Sequence, residues 1–564
     1  MVRAAHALLA ACAAVLLWRA LAQGWLDDTT AELVARSVVR WGLLFASVAA
    51  STLAIVAGWI TAQPRKMLVY DTVSYAGLLI LLFAFSLGPL TRDVIGLLFI
   101  AAVAARFAPV ILAAIGDPPW SFLFACALAV YVCLAAWHQA ASLPLGDQVH
   151  YLLATDRLGH GSLDASVDPG LFRRLTTIDP SDAGVATHVV STPAGLRTVQ
   201  GYALPLLLLP GWIVAGRFGA EVVVATAAAW AAAMTALILR DTVVGARLRG
   251  WVWAMTAFLP PLVLLATHIY PNAFGAAAIA TSYRLGFTAP VRRPALAGAV
   301  GALTLFLNPR DGLVLLVLLA ASVWYGRVHL LRFGAAAAGV GLIAIASNAV
   351  LYSLPVPYAG YFFGTSQAQA LTNAPSITFQ FWVGLPAMLF DRTFGVAGSA
   401  PWLFIGALGA IPALRAAPRA LIPAGAAIVM SLLALSIYRY WEGGYAPPNR
   451  YLVELVPLAA PFVSYGLAAA REWWMRIFVG LLIAISAFAA FLLSAMPARA
   501  LNDAFQQQLQ DLFDVSLGLN PLGWLPSFIP TTPDWYVGAY LRLVPTVAIV
   551  LLLAWHGARR SVRT

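Results

Sequence analysis

The chain has 564 residues, 62% of them hydrophobic and only 10% charged, with a formal net charge of +11. A soluble fold of that length would need far more polar surface, so a soluble globular enzyme is excluded. The basic residues fall mostly in short loops between apolar runs, where they read as membrane topology and not as a nucleic-acid footprint.

Runs of about 18 to 24 apolar residues recur from end to end, each long enough to cross roughly 30 Å of hydrocarbon. The pattern is that of an all-α polytopic protein of the lipid bilayer. The first run, residues 4–23, lacks a small-residue cleavage site followed by soluble sequence and reads as a retained span. Cys12, Cys126 and Cys133 all lie inside apolar runs, which offers no disulfide framework. Lys66 is the only lysine, a usage that suggests a GC-rich bacterial genome.

Arginine marks the turns. Arg65-Lys66, then Arg240, Arg247 and Arg249, then Arg292-Arg293 lie between runs; Arg327 and Arg332, Arg415 and Arg419, Arg471 and Arg476 follow, and the tail HGARRSVRT is basic too. Placing all of them in the cytoplasm, with both termini, gives about sixteen spans. The first four lie near 4–22, 38–61, 67–90 and 94–115, in an N-terminal extension covering 1–118. Ten follow in a core from 119 to 470: near 119–141, 219–239, 251–268, 271–287, 295–308, 311–325, 334–353, 400–414, 420–438 and 452–469. The C-terminal part, 471–564, holds spans near 477–495 and 539–556. Residues 201–216, GYALPLLLLPGWIVAG, are apolar enough to span, but counting them would turn every later basic loop outward. Pro205 and Pro210 also weaken a straight helix there. The stretch is expected to be interfacial or re-entrant on the outer side, packed against protein.

This topology gathers the longer polar segments on one face: 142–218, 267–274, 307–313, 354–399, 438–452 and 496–538. The first of them opens on GDQVHYLLATDRL. Asp147 is expected to cap a helix over about 148–158. Val149, Leu152 and Leu153 would then face the membrane, and His150, Tyr151 and Arg157 the water. The plain reading of Asp147 is a cap; the sharper one is a carboxylate at the membrane surface acting as general base on a sugar hydroxyl, partial desolvation raising its proton affinity.

The stretch GDQVHYLLATDRLGHGSLDAS resembles the first outer loop of the GT-C glycosyltransferases, in the bacterial protein-mannosyltransferase-like branch. The resemblance continues through GYALPLLLLPGWIVAG, THIYPN, GLPAMLFDRTFGVAGSAPW and WEGGYAPPNRYLVELVP, in order over roughly residues 119–470. It implies a GT-C-like fold with its active site built from the first long outer loop. It also implies an inverting transfer from a polyprenyl-phosphate sugar donor to an acceptor hydroxyl at the outer leaflet, on a glycan, a lipid or a protein. The acceptor proton goes to a loop-one aspartate, here Asp147. The setting would be the bacterial plasma membrane with the site toward the periplasm. No cofactor is implied. Gln148 and Asn272 stand where the family often has acids, so a divalent cation is disfavoured.

A departing phosphate needs positive partners, and Arg450 and Arg310 sit at outer ends of spans, with rigid forks suited to phosphate oxygens. Each has a plainer alternative: an interfacial arginine reaching lipid headgroups, or, for Arg310, a partner of Asp311. Gln148, Tyr151, Arg173, Arg174, His188, Asn272 and Glu442 are further candidates for acceptor or substrate contacts. Asp164 and Asp168 read as solvated loop acids. Trp382, Trp402 and Trp441 read as interfacial belt residues. Competing functions are a transporter or flippase of lipid-linked saccharide, an O-antigen polymerase or ligase, and a scaffold without catalysis. Intramembrane charge and internal repeats, the marks of a transport path, are not evident in the sequence.

The topology is tested by cysteine labelling. A cysteine at Ser181 is expected to react with a membrane-impermeant thiol reagent on spheroplasts, and one at Ser561 is not; the reverse pattern inverts the assignment.

Overall fold

The computed structural model describes residues 118–561 apart from 167, 177–187, 244, 309, 357–358, 364–376, 439–440, 442, 444–445, 496, 498–521 and 529–534. The first four expected spans, Glu442 and most of the 496–538 loop lie outside the described residues. From Pro119 onward the described elements belong to one packed unit, which includes the helices after 471.

That unit is mostly helical. Helix α1 (Trp120–Ala141) leads into α2 (Asp147–Gly159), the short α3 (Pro169–Leu175) and a hairpin of β1 (Val189–Thr192) and β2 (Gly195–Thr198). Then come α4 (Ala203–Thr242), α5 (Ala246–Phe258), α6 (Asn272–Tyr283), α7 (Pro294–Ala302), α8 (Asp311–Ala321) and α9 (Arg327–Tyr352). The last group is α10 (Ile377–Phe390), α11 (Ile405–Ala416), α12 (Pro418–Ser436), a 3₁₀ turn (Arg450–Leu455) running into α13 (Val456–Ala469), α14 (Trp473–Ala495) and α15 (Trp535–Ser561). Among the described residues seven helices are long and apolar enough to cross a membrane.

Among the described residues helices stand where apolar runs predicted spans, with informative exceptions. The run 251–268 is broken: α5 ends at Phe258, because Pro260 and Pro261 remove two backbone donors. The Pro260 carbonyl is instead satisfied by the Trp402 indole at 2.7 Å, so Trp402, fully buried, is a core residue and not a belt residue. Trp382 is exposed, and Trp441 packs edge-on against Phe394. Helix α10 is an apolar helix inside what reads as a long loop. Gly384 lets it approach α12 closely, since a Cβ there would lie 2.2 Å from the Ser436 carbonyl oxygen.

Helix α4 is two helices. Ala215 and Gly216 leave helical geometry, Gly216 with φ 56°. A Cβ on Gly211 would lie 2.2 Å from the Gly219 carbonyl oxygen, and one on Gly219 would lie 1.9 Å from that of Gly211. Eight residues of straight helix would separate these positions by about 12 Å, so the chain reverses at 215–216. The first half, about 18 Å long, folds back onto the second and is too short to span. The reversal packs this segment against protein, as residues 201–216 suggest.

Small residues hold the centre. The second half of α4 buries Ala225, Ala228, Ala229 and Ala231–Ala233, and α13 meets α11 through Gly466 and Gly409, whose added Cβ atoms would collide with the Ile405 and Phe462 carbonyls. Lipid supplies no hydrophobic drive between helices, so such backbone proximity is what holds them. The basic turns meet at one end: Arg284 pairs with Asp241 at 3.2 Å, Tyr325 donates to the Arg419 carbonyl at 2.9 Å, and Arg292 lies 4.7 Å over Tyr325. The longer segments meet elsewhere. Tyr352 donates to Thr198 O at 2.7 Å beneath the hairpin, and Arg392 N to Pro526 O at 2.9 Å. Asp391, fully buried, accepts from Thr393, Phe394 and Phe528 backbone N–H groups at 2.8–2.9 Å.

Gly219→Ala is expected to force the two halves of α4 apart and destabilise the protein by about 1–3 kcal/mol. Gly480→Ala, with no atom within 4 Å of its added Cβ, should be neutral or slightly stabilising. Thermal unfolding in detergent compares the two; equal melting temperatures would remove the close contact.

Candidate active site

The expected cap is absent. Gly146, with φ 58°, takes the N-cap position, and Asp147 is the first residue of α2 with no side-chain capping bond. A glycine fits that positive φ, and it shifts Asp147 into the first turn, where its carboxylate turns to distant partners. The expected faces of α2 are also corrected. Val149, His150, Tyr151, Leu152 and Leu153 are all buried, because the helix is enclosed by protein and not laid on the membrane surface. Helix α2 packs along α4, and Gly159 lies against Leu209.

Three donors converge on Asp147. Arg450 Nη2 donates to Oδ2 at 2.9 Å; His188 Nε2 lies 3.1 Å from Oδ1, and Gln200 Nε2 donates to Oδ1 at 3.4 Å. The carboxylate keeps 23% of its exposure, enough for a substrate to reach it. Burial pushes its pKa up, but the Arg450 charge and the His188 hydrogen bond outweigh that and hold it well below the usual carboxylate range. His188 and Gln200 leave the base of the hairpin together: Val199 N donates to His188 O at 3.0 Å, and Gln200 accepts from Thr198 Oγ1 at 3.0 Å.

Arg450 is fixed from every side. The preceding Asn449 adopts φ 60° and donates its amide to Gly395 O and Ser399 Oγ, which anchors the turn to the 395–399 segment. Arg450 Nη1 donates to Gly443 O at 3.2 Å and Nε to Asn272 Oδ1 at 3.4 Å. Its guanidinium lies 4.0 Å from the ring of Tyr270, a geometry favourable to a cation. Gln148 holds that neighbour in place: its Oε1 accepts from Ile269 N at 2.9 Å. Fully buried, Gln148 is thus a bracket between α2 and the 267–272 turn.

A second tier continues from Arg450. Asn272 Nδ2 donates to Arg450 O at 3.1 Å and to Glu454 Oε1 at 2.6 Å, and Arg310 Nη2 donates to the same Oε1 at 3.0 Å. Arg310 therefore pairs with Glu454, and it stacks 4.1 Å over Tyr451, whose ring lies 5.6 Å from Arg450. Two guanidiniums and two phenol rings form one column. Tyr151 is buried a turn beyond Asp147, near enough to Arg450 to act on its charge. Arg173 and Arg174 are exposed on α3, whose Phe172 packs near His150.

Asp147, His188, Asn272, Arg310 and Arg450, far apart in sequence, thus form one connected network. Gln200, Tyr270, Tyr451 and Glu454 belong to it as well, although only the motifs containing Tyr270, Tyr451 and Glu454 drew notice in the sequence. Among the described residues no group of three or more His, Cys, Asp or Glu is placed to hold a metal ion.

Fold and site together define a polytopic helical membrane protein with a charged cluster where its longer loops converge. No protein-family model matches the chain, and no curated protein is found similar to it. Among solved structures it is similar to ArnT from Cupriavidus metallidurans in the apo state, at 15% identity and a TM-score of 0.41 over 78% of each chain. It is also similar to the apo oligosaccharyltransferase of Archaeoglobus fulgidus, at 13% identity and a TM-score of 0.35, over 74% of this chain and 59% of that one. A third is the oligosaccharyltransferase AglB of the same archaeon with an inhibitory peptide and a dolichol-phosphate, at 13% identity and a TM-score of 0.33, over 75% and 60%.

Asp147→Asn and Arg450→Gln are expected to be non-additive in unfolding, with a coupling of about 1–3 kcal/mol. Folding lowers the proton affinity of Asp147. The stabilisation is therefore complete above the ordinary carboxylate pKa of about 4 and is lost only as pH falls through the lower folded value. Additive effects at pH 7 would dissolve the pair.

Proposed function

We propose that the chain is a GT-C-type glycosyltransferase that moves a sugar from a polyprenyl-phosphate donor to an acceptor hydroxyl at the outer face of a bacterial plasma membrane. The observation that carries this reading is the Asp147–Arg450 contact at 2.9 Å, which sets a reachable carboxylate beside a fixed guanidinium. Proton acceptor and phosphate partner are the two groups such a transfer requires.

In the step, the acceptor oxygen bonds to the anomeric carbon while the bond from that carbon to the phosphate oxygen breaks. The electron pair leaves with the phosphate, the hydroxyl proton passes to Asp147, and the configuration inverts. Among the described residues three of the five N–H groups of Arg450 are engaged, so its fork can meet phosphate oxygens while remaining in place. Those anionic oxygens offset the charge that holds Asp147 acidic. The carboxylate then becomes a better base just when donor is present. Arg310, on the far side of Tyr451, adds positive potential toward the leaving group. The acceptor is a glycan, lipid or protein hydroxyl.

Asp147→Asn is expected to cut transfer by roughly two to four powers of ten, with donor binding retained because Arg450 remains. Since Asp147 caps nothing, asparagine leaves the helix start intact. Arg450→Lys should weaken donor use and rescue Arg450→Ala only in part, a point charge lacking the fork. Transfer of labelled sugar from undecaprenyl-phosphate mannose, glucose and arabinose in detergent, with membrane lipid as acceptor, reads both. Undiminished transfer by a stable Asp147→Asn protein would overturn the reading, and movement of intact donor between leaflets without transfer would favour a flippase.

A further inference from the structure

His188 and Gln200 both reach Asp147 Oδ1 from the base of one hairpin, yet they bring different chemistry. Gln200 supplies a neutral hydrogen bond at every pH. Orientation of the carboxylate alone would not call for a second, titratable donor at 3.1 Å on the same oxygen. The imidazole of His188 is held by stacking on His150, with ring centroids 3.9 Å apart and planes within 4°. Its backbone is held by the Val199 N–H at the base of the hairpin, where Val199 and Val190 pack with Tyr202, Tyr352 and Ala359. The ring is 15% exposed, so solvent protons reach it.

We infer that His188 is a positioning residue that governs whether Asp147 can accept the acceptor's proton: neutral, it steadies the carboxylate through one hydrogen bond; protonated, it places a second cation against it and disables the base. This rests on the reading of Asp147 as the proton acceptor. Among the described residues, the charged and titratable groups placed against His188 include Asp147 and His150 from α2, with Arg450 on the other carboxylate oxygen. His150 adds no charge of its own, because burial and then the neighbouring His188 push its pKa down to about 3. With Arg450 already paired, an imidazolium at Oδ1 leaves the carboxylate between two cations, and attraction to both opposes any proton. Transfer is therefore lost once the His188 ring carries its second proton. Asp147 cannot produce that loss in the free enzyme, since its pairing keeps it ionised through the ordinary carboxylate range.

The dependence of kcat/KM on pH, with the undecaprenyl-phosphate sugars above, reports the free enzyme. Wild type is expected to show an acid limb. His188→Gln keeps a donor of similar reach but no charge, so its profile should lose the acid limb and exceed wild type by about tenfold at the acid end. His188→Ala should lack the acid limb as well and run about tenfold below His188→Gln at every pH, the glutamine restoring the hydrogen bond that alanine loses. Superimposable wild-type and His188→Gln profiles would overturn the inference. A second readout needs no turnover: in ¹⁵N-histidine NMR, the titration of His188 should move to lower pH in Asp147→Asn, and identical curves would also overturn it. A coupled titration in a protein that transfers no sugar would sink the transferase reading while leaving the His188–Asp147 link standing.

Discussion

The ion pair between Asp147 and Arg450 joins residues 303 positions apart, and the site is organised around it. Each partner is delivered by an element that makes little sense without the other. Gly146 gives up a side-chain cap so that Asp147 can turn away from its own helix. Asn449 takes a left-handed backbone conformation and anchors itself to Ser399 and Gly395, which fixes Arg450. Two charges in a largely apolar protein are tolerable only where partners are this closely set. The remaining neighbours, Tyr270, Asn272, Gly443 and Gln200, complete the hydrogen bonding and the ring contact that a half-buried pair requires.

Much of the helical framework is legible in the sequence because the bilayer imposes one length on every span and arginine punctuates them. Departures occur where local chemistry overrides hydropathy. Pro260-Pro261 breaks an apolar run that composition reads as continuous, and α10 forms within a stretch that reads as loop. Trp402 shows the limit of reading aromatics by position: it lies near a predicted interface but is sealed in the core by a bond to Pro260.

The candidate site is legible in its charged members and obscure in its neutral ones. Asp147, Arg310 and Arg450 stand out because charge is rare in this chain. Tyr270 and Tyr451 do not, since a tyrosine beside an apolar run is ordinary, and their role appears only when folding brings Arg450 to both rings and Arg310 against Tyr451. Gln148 illustrates the reverse case. Its place after Asp147 suggests contact with substrate, yet its amide is taken by the backbone of Ile269. Which polar group is already satisfied by a distant backbone atom is a property of the fold and not of the motif.

The hairpin base has a consequence for dynamics. Two of the three donors on Asp147 leave adjacent ends of the same small sheet, so they are gained or lost together as that sheet forms or frays. Small, exposed hairpins open far more readily than buried helices. The acidity of a single carboxylate is thereby tied to a local folding equilibrium: each opening would remove two hydrogen bonds from Asp147 at once and leave Arg450 as its remaining counter-charge. The protonation state of the site thus reports on the order of a loop that carries little of the protein's mass.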